Sequence, residues 1–213
     1  MPRPTHTHLV WDFNGTILDD VRLGIDSVNP MLASRGLPTL TTETYRAHFG
    51  FPVKDYYRHL GFDFDRDDYD TVLAPEWVAN YRAGERDCPL VPGVRDTLDA
   101  VATRDVHQIM LSASHRAQLL EQLAYHGLSN AFEEIMALDN IHAGGKVALA
   151  VAWKDRHPDA HPLFVGDTEH DAEVARAVGA DCVLFTGGHQ SRDRLAACAC
   201  PLIDRLEDIL AYL

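Results

Sequence analysis

Nowhere in the 213 residues do apolar side chains run for the roughly 18 positions needed to span a bilayer, which excludes a transmembrane helix. Met1-Pro2-Arg3-Pro4 offers no apolar leader core, so the expectation is a cytoplasmic protein without a membrane partner. Cysteine is scarce: Cys88, Cys182, Cys198 and Cys200 form no C-x-x-C pair, and the neighbours of the last two offer no further metal ligands. All four are expected to be reduced and structural. Positive charge is the third shortage. Nineteen Lys and Arg against 32 Asp and Glu leave a net charge of -13, and protonating all 12 histidines brings it only to -1. Nucleic acid is therefore not an expected partner, and any anionic substrate needs a local cation or a bound metal to receive it. Internal repeats and low-complexity segments are absent as well, and nothing in the pattern bears on oligomeric state.

What is present is ordinary globular composition, 46% apolar and 24% charged. At about 150 residues per domain, the length suggests one domain carrying an insertion, or two unequal domains. From Pro92 onward short apolar runs alternate with helical patterns. Strands are expected at His107 to Leu111, Glu134 to Leu138, Leu163 to Val165, Cys182 to Phe185 and Leu202 to Ile203, with a first strand at His8 to Phe13. Helices are expected at Arg95 to Thr103, Arg116 to His126, Lys146 to Asp155 and Asp171 to Val178. This alternation predicts an α/β fold, a doubly wound parallel sheet with helices on both faces.

Between Asp20 and Glu85 the rhythm is helical only. Val21, Ile25 and Val28 share one helix face; Thr42 to Phe49 and Val53 to Leu60 read as short helices and Asp67 to Ala83 as a longer one. Pro30 and Pro75 should start or kink helices. Asp87 to Gly93, with two prolines and a glycine, reads as a hinge. The expected division is a core of residues 1–19 and 87–213 with a helical insertion over 20–86.

Four places carry chemistry. In Asp12-Phe13-Asn14-Gly15-Thr16 a hydrophobic strand delivers Asp12 to its C-terminal end, where open α/β sheets bind ligands; Asp12 is a nucleophile or metal ligand there, or simply ends the strand before an Asn-Gly turn. Ser112-Ala113-Ser114 precedes a helix, placed either to cradle an anion or to cap. Lys146, opening a helix after Gly144-Gly145, opposes the dipole trend and so suits an anion, although a solvated lysine fits as well. Gly166-Asp167 and Asp171 place two carboxylates four residues apart across a strand-to-helix turn, enough to hold one hard cation or to enrich a helix start in acid.

The order Asp, Ser, Lys, paired Asp is more specific than any member, and with it the sequence resembles the haloacid dehalogenase superfamily over nearly its whole length. That resemblance includes Val91-Pro92-Gly93-Val94 at the exit of an α-helical cap, and within the cap Phe49-Gly50-Phe51-Pro52 resembles the corresponding segment of phosphoglycolate-phosphatase-like members. The resemblance implies a Mg²⁺-dependent phosphatase acting on a small phosphorylated metabolite. Asp12 would form an aspartyl-phosphate, and Ser112 and Lys146 would hold the phosphoryl oxygens beside Gly15, Thr16 and Ala113. Asp12, the Asn14 carbonyl, Asp167 and Asp171 would serve the metal.

One position departs from the family. Its phosphatases carry a second aspartate two residues after the nucleophile as general acid and base, where this chain has Asn14. Losing such a group costs about 10²–10⁴ in rate. A substrate with a good leaving group would dispense with the acid, or His48, Asp19 or His170 would stand as substitutes. Two alternatives remain: phosphonoacetaldehyde-hydrolase-like cleavage of a C–P bond through a Schiff base on Lys54, with Arg58 four residues on, or a catalytically weak protein that binds phosphoryl ligands.

Overall fold

The computed structural model describes residues 6–138 and 145–213. Six strands form one parallel sheet: β1 (His8–Trp11), β2 (His107–His115), β3 (Glu134–Leu138), β4 (Pro162–Gly166), β5 (Asp181–Phe185) and β6 (Leu202–Ile203), in the order β3-β2-β1-β4-β5-β6. Alternation along β1 divides the core: Leu9 and Trp11 pack on one face, Val10 on the other. The first face is covered by α5 (Val94–Ala102), α6 (Arg116–Tyr125) and a terminal 3₁₀ turn (Leu206–Ala211). The second carries α7 (Lys146–Arg156), α8 (Glu169–Ala177) and the short α9 (Arg192–Ala196), with Trp153 wholly buried. The chain leaves β1 for β2 on one side and reaches β4 on the other. This reversal opens a crevice at the C-terminal ends of β1 and β4, where such sheets bind ligands.

Between β1 and β2 the chain forms α1 (Val21–Ser34), α2 (Thr42–His48), α3 (Val53–His59) and α4 (Ala74–Gly84), with a separate core built on Ile25, Val28, Leu32, Tyr45, Tyr57 and Leu73. Its entry and exit run side by side: Asp19 N–H donates to the Pro89 carbonyl (2.9 Å) and Val91 N–H to the Ile17 carbonyl (2.9 Å). The expected hinge is thus strapped to the loop that follows β1. Arg35, its side chain 10% exposed, ties the end of α1 to Asp67 (3.1 Å) and to Glu76 of α4 (2.8 Å).

Several boundaries differ from expectation. The single helix expected over Asp67 to Ala83 is a π turn (Tyr69–Leu73) followed by α4, since Pro75 fits only the first turn of a new helix. Pro30 lies inside α1, which continues to Ser34. β1 stops at Trp11, and β2 runs through Ser112, Ala113 and Ser114 to His115, with an irregular register after Leu111. Gly144 lies outside the described residues.

Candidate active site

Asp12 directly follows β1 and Asp167 directly follows β4, so adjacent strands deliver two carboxylates to one crevice; Asp12 N–H donates to the Val165 carbonyl (2.9 Å), fixing that register. Lys146, the first residue of α7, places its buried Nζ 2.6 Å from Asp12 Oδ1 and 2.5 Å from Asp171 Oδ1. Asp171 Oδ2 accepts from Thr168 Oγ1 (2.7 Å), Thr168 N–H (3.0 Å) and Asp167 N–H (3.2 Å). Asp171 therefore does both things its position allows: it caps α8 and it holds Lys146. Gly166 is required for this, because a Cβ there would lie 2.2 Å from Asp171 Cγ.

Carboxylate oxygens of Asp12, Asp167 and Asp171 lie within 4.8 Å of one another. Burial pushes Asp12 up to about 6 although Lys146 opposes it, and holds Asp167 well above the usual carboxylate range. Asp171 is held low in spite of burial by Lys146 and Thr168. Lys146 keeps its charge against burial because Asp12 and Asp171 surround it. The solvated lysine weighed from sequence is thus a buried one.

A second cluster, which sequence reasoning missed, lies beside the first. Asp20 is 2% exposed and accepts from Gly15 N–H (2.8 Å), Asn14 Nδ2 (2.8 Å) and the Tyr81 hydroxyl (2.7 Å). His189 Nε2 lies 3.1 Å from Asp20 and its Nδ1 2.9 Å from the Tyr45 hydroxyl, while its backbone N–H donates to Asp167 Oδ2 (2.6 Å). Burial alone would strip His189 of its proton, but Asp20, with Asp167 and Asp12 behind it, pushes its pKa up to about 9. The available signal was Gly187-Gly188, one residue beyond the apolar run that forms β5. A Cβ on Gly188 would lie 2.1 Å from Asp167 Oδ2.

A cavity of about 440 Å³ opens over these residues. Asp12, Asn14, Ser112, Ala113, Lys146 and Asp167 line one side and side chains of α1 to α4 the other. Ser112 reaches it from within β2 rather than from a helix start: its Oγ accepts from Ser114 N–H (3.1 Å), and α6 is capped by His115. Gly15 and Thr16, expected against substrate, lie behind the site, where Thr16 Oγ1 donates to Asp167 (3.3 Å). Of the three candidate replacements for the missing acid, His170 lines the cavity; Asp19 is exposed, and His48 pairs with His59 (3.1 Å). Lys54 is 40% exposed, pairs with Asp70 (3.1 Å) and is not among the cavity's lining residues. Arg58 pairs with Asp55 and is not among the lining residues either.

Residues 9–185 match the haloacid dehalogenase-like hydrolase family. The sequence is 25% identical over 212 residues to a phosphoglycolate phosphatase of Synechococcus elongatus, covering 95% of this chain and 94% of that one. It is 27% identical over 192 residues to a phosphoglycolate phosphatase of Pseudomonas putida, covering 85% and 70%. Among solved structures, a haloacid dehalogenase-like hydrolase from Streptococcus pneumoniae superimposes with a TM-score of 0.82 at 18% identity, covering 97% of this chain and 98% of that one. A haloacid dehalogenase-like protein from Agrobacterium tumefaciens gives 0.77 at 20%, covering 97% of each. At these identities the structural likeness speaks for the fold.

Proposed function

The chain belongs to the haloacid dehalogenase-like hydrolase family, and from that premise we propose that it hydrolyses the phosphate monoester of a small metabolite through an aspartyl-phosphate on Asp12. The observation that carries this reading is the buried Lys146 held between Asp12 and Asp171, the local cation that a chain of net charge -13 needs to receive a phosphoryl group. Phosphoryl transfer asks a protein mainly for positioning and charge neutralisation.

An Asp12 oxygen attacks phosphorus and the ester P–O bond breaks, its electron pair leaving on the alcohol oxygen, which is protonated by solvent only once it has left the site, the hydroxide so formed being neutralised by the dihydrogen phosphate of the second transfer. Lys146 and Ser112 hold the transferring oxygens, and Asp171 positions Lys146. Water then attacks the aspartyl-phosphate; its P–O bond to Asp12 breaks, the carboxylate is restored, and both water protons depart on dihydrogen phosphate.

The donor set fits a magnesium ion: clustered oxygen ligands, two of them carboxylates that desolvation pushes above their usual range. Asp12, Asp167 and the Asn14 carbonyl would hold it, with Asp171 beside them engaged by Lys146. Bound there, magnesium neutralises charge on the transferring group. Residues 20–86 would act as the cap over a core of 1–19 and 87–213, excluding water during the first transfer.

The relatives' names make phosphoglycolate the first compound to assay. Mg²⁺-dependent phosphate release is expected from wild type and is expected to vanish in Asp12→Asn. Lys146→Ala should lose about 10²–10³ in kcat, the usual cost of removing one transition-state donor. Wild-type rates in Asp12→Asn would overturn the proposal.

A further inference from the structure

We infer that the ester this site is built to cleave is an aryl phosphate, with a phenolic leaving group that lies against the aromatic wall of the helical insertion. The inference rests on the phosphatase reading above and adds the chemical class of the leaving group.

Two independent observations meet in it. The first is the lack of a proton donor at Asn14. An amide has no proton to give at neutral pH, and this one is fixed: Nδ2 donates to Asp20 (2.8 Å) and lies 2.9 Å from the Tyr81 hydroxyl, while Oδ1 accepts from Ser114 Oγ (2.8 Å). The buried titratable groups beside it are engaged with one another, His189 with Asp20 and Tyr45, and Tyr81 with Asp20; His170, which also lines the cavity, lies outside this network, against Phe51 (4.9 Å) with its Nδ1 on Glu173 (3.2 Å). An alkoxide leaving unprotonated is a poor departure, its conjugate acid lying near the value of about 15.7 for water. A phenolate, whose acid lies near about 10, departs without help.

The second observation is the wall itself. Phe49 stacks on Tyr45 (ring centroids 5.2 Å apart) and meets Tyr56 edge-on (5.4 Å), Phe51 lies 4.9 Å from His170, and Trp77 stacks on Tyr81 (4.9 Å); all line the cavity. Such faces receive a flat ring by offset or edge-on contact. At about 440 Å³ the cavity is sized for more than a two-carbon acid. A glycolate carboxylate would face that wall, where the one Lys or Arg contributed by the insertion among the described lining residues is the exposed Arg82. Two buried polar atoms of the described lining residues stand without partners: the hydroxyl of Tyr56, a residue 6% exposed, and His170 Nε2. A buried hydroxyl left unmatched is costly, and a polar substituent on the ring is what would match it.

The test compares kcat/KM of the full chain with Mg²⁺ for phenyl phosphate, 4-hydroxyphenyl phosphate and 1-naphthyl phosphate against phosphoglycolate and glycerol 3-phosphate, each also with Asp12→Asn and Asn14→Asp. The expected result is an Asp12-dependent preference for the aryl esters of at least about 100-fold. Asn14→Asp should raise the alkyl esters by about 10²–10⁴ and the aryl esters by less than about tenfold, since only the former need the proton; Asp20 beside it favours the protonated form that donates. Asp12-dependent hydrolysis that favours phosphoglycolate or glycerol phosphate in wild type overturns the aryl inference and leaves the phosphatase reading standing. No hydrolysis of any ester overturns both. An equal gain on both ester classes in Asn14→Asp also overturns the inference, because it shows that phenolate departure needs the same proton.

Discussion

Asp20 and His189 are 169 positions apart, yet the loop after β1 closes on their contact. The folded protein keeps the His189 proton up to about pH 9, whereas the unfolded chain releases it near 6.5, so the stability this histidine contributes is complete below 6.5 and is lost as pH rises toward 9. Urea midpoints measured with chelator present should fall between pH 6.5 and 9.5 in wild type and fall less steeply in His189→Gln. Asp20→Ala leaves a buried imidazolium unpaired and should cost about 3–5 kcal/mol, read from the same curves. Gly188→Ala, whose Cβ would press on Asp167, should lower Mg²⁺ affinity in titration calorimetry more than it lowers stability. Asp12, Lys146, Asp167 and Asp171 were legible in the sequence because each directly follows an apolar strand or opens a helix, and position alone predicts convergence. Asp20 and His189 were not, because a buried ion pair between distant segments leaves no periodic trace in either.

At the scale of elements, the sheet could be read because strands buried on both faces appear as short apolar runs punctuated by glycine and proline. Its errors have a common cause: local pattern does not say where tertiary pairing stops. β2 extends past its apolar run into Ser112-Ala113-Ser114 because β3 remains alongside, with Leu138 opposite His115. The helix expected over Asp67 to Ala83 divides at Pro75, whose ring cannot follow a full helical turn. What joins α1 to α4 across that break is Arg35, with Asp67 and Glu76. Arg35→Met should cost about 2 kcal/mol, the scale of hydrogen bonds to charged groups, and thermal melting followed by circular dichroism would show it.

At the scale of the molecule, a net charge of -13 repels a phosphate dianion before any contact forms. KM for a phosphate ester should therefore fall as ionic strength rises from about 10 to 150 mM at fixed Mg²⁺, as the Debye length shrinks to about 8 Å. The buried Asp20 carboxylate has one further effect. Asn14 reaches it from the loop after β1, His189 from the loop after β5, and Tyr81 from α4, while Tyr45 of α2 holds His189. Neither the helical insertion nor the sheet can melt while the other stays folded without stranding charge in a dry interior, so calorimetry should record one cooperative transition, which Tyr45→Phe combined with Tyr81→Phe should split into two.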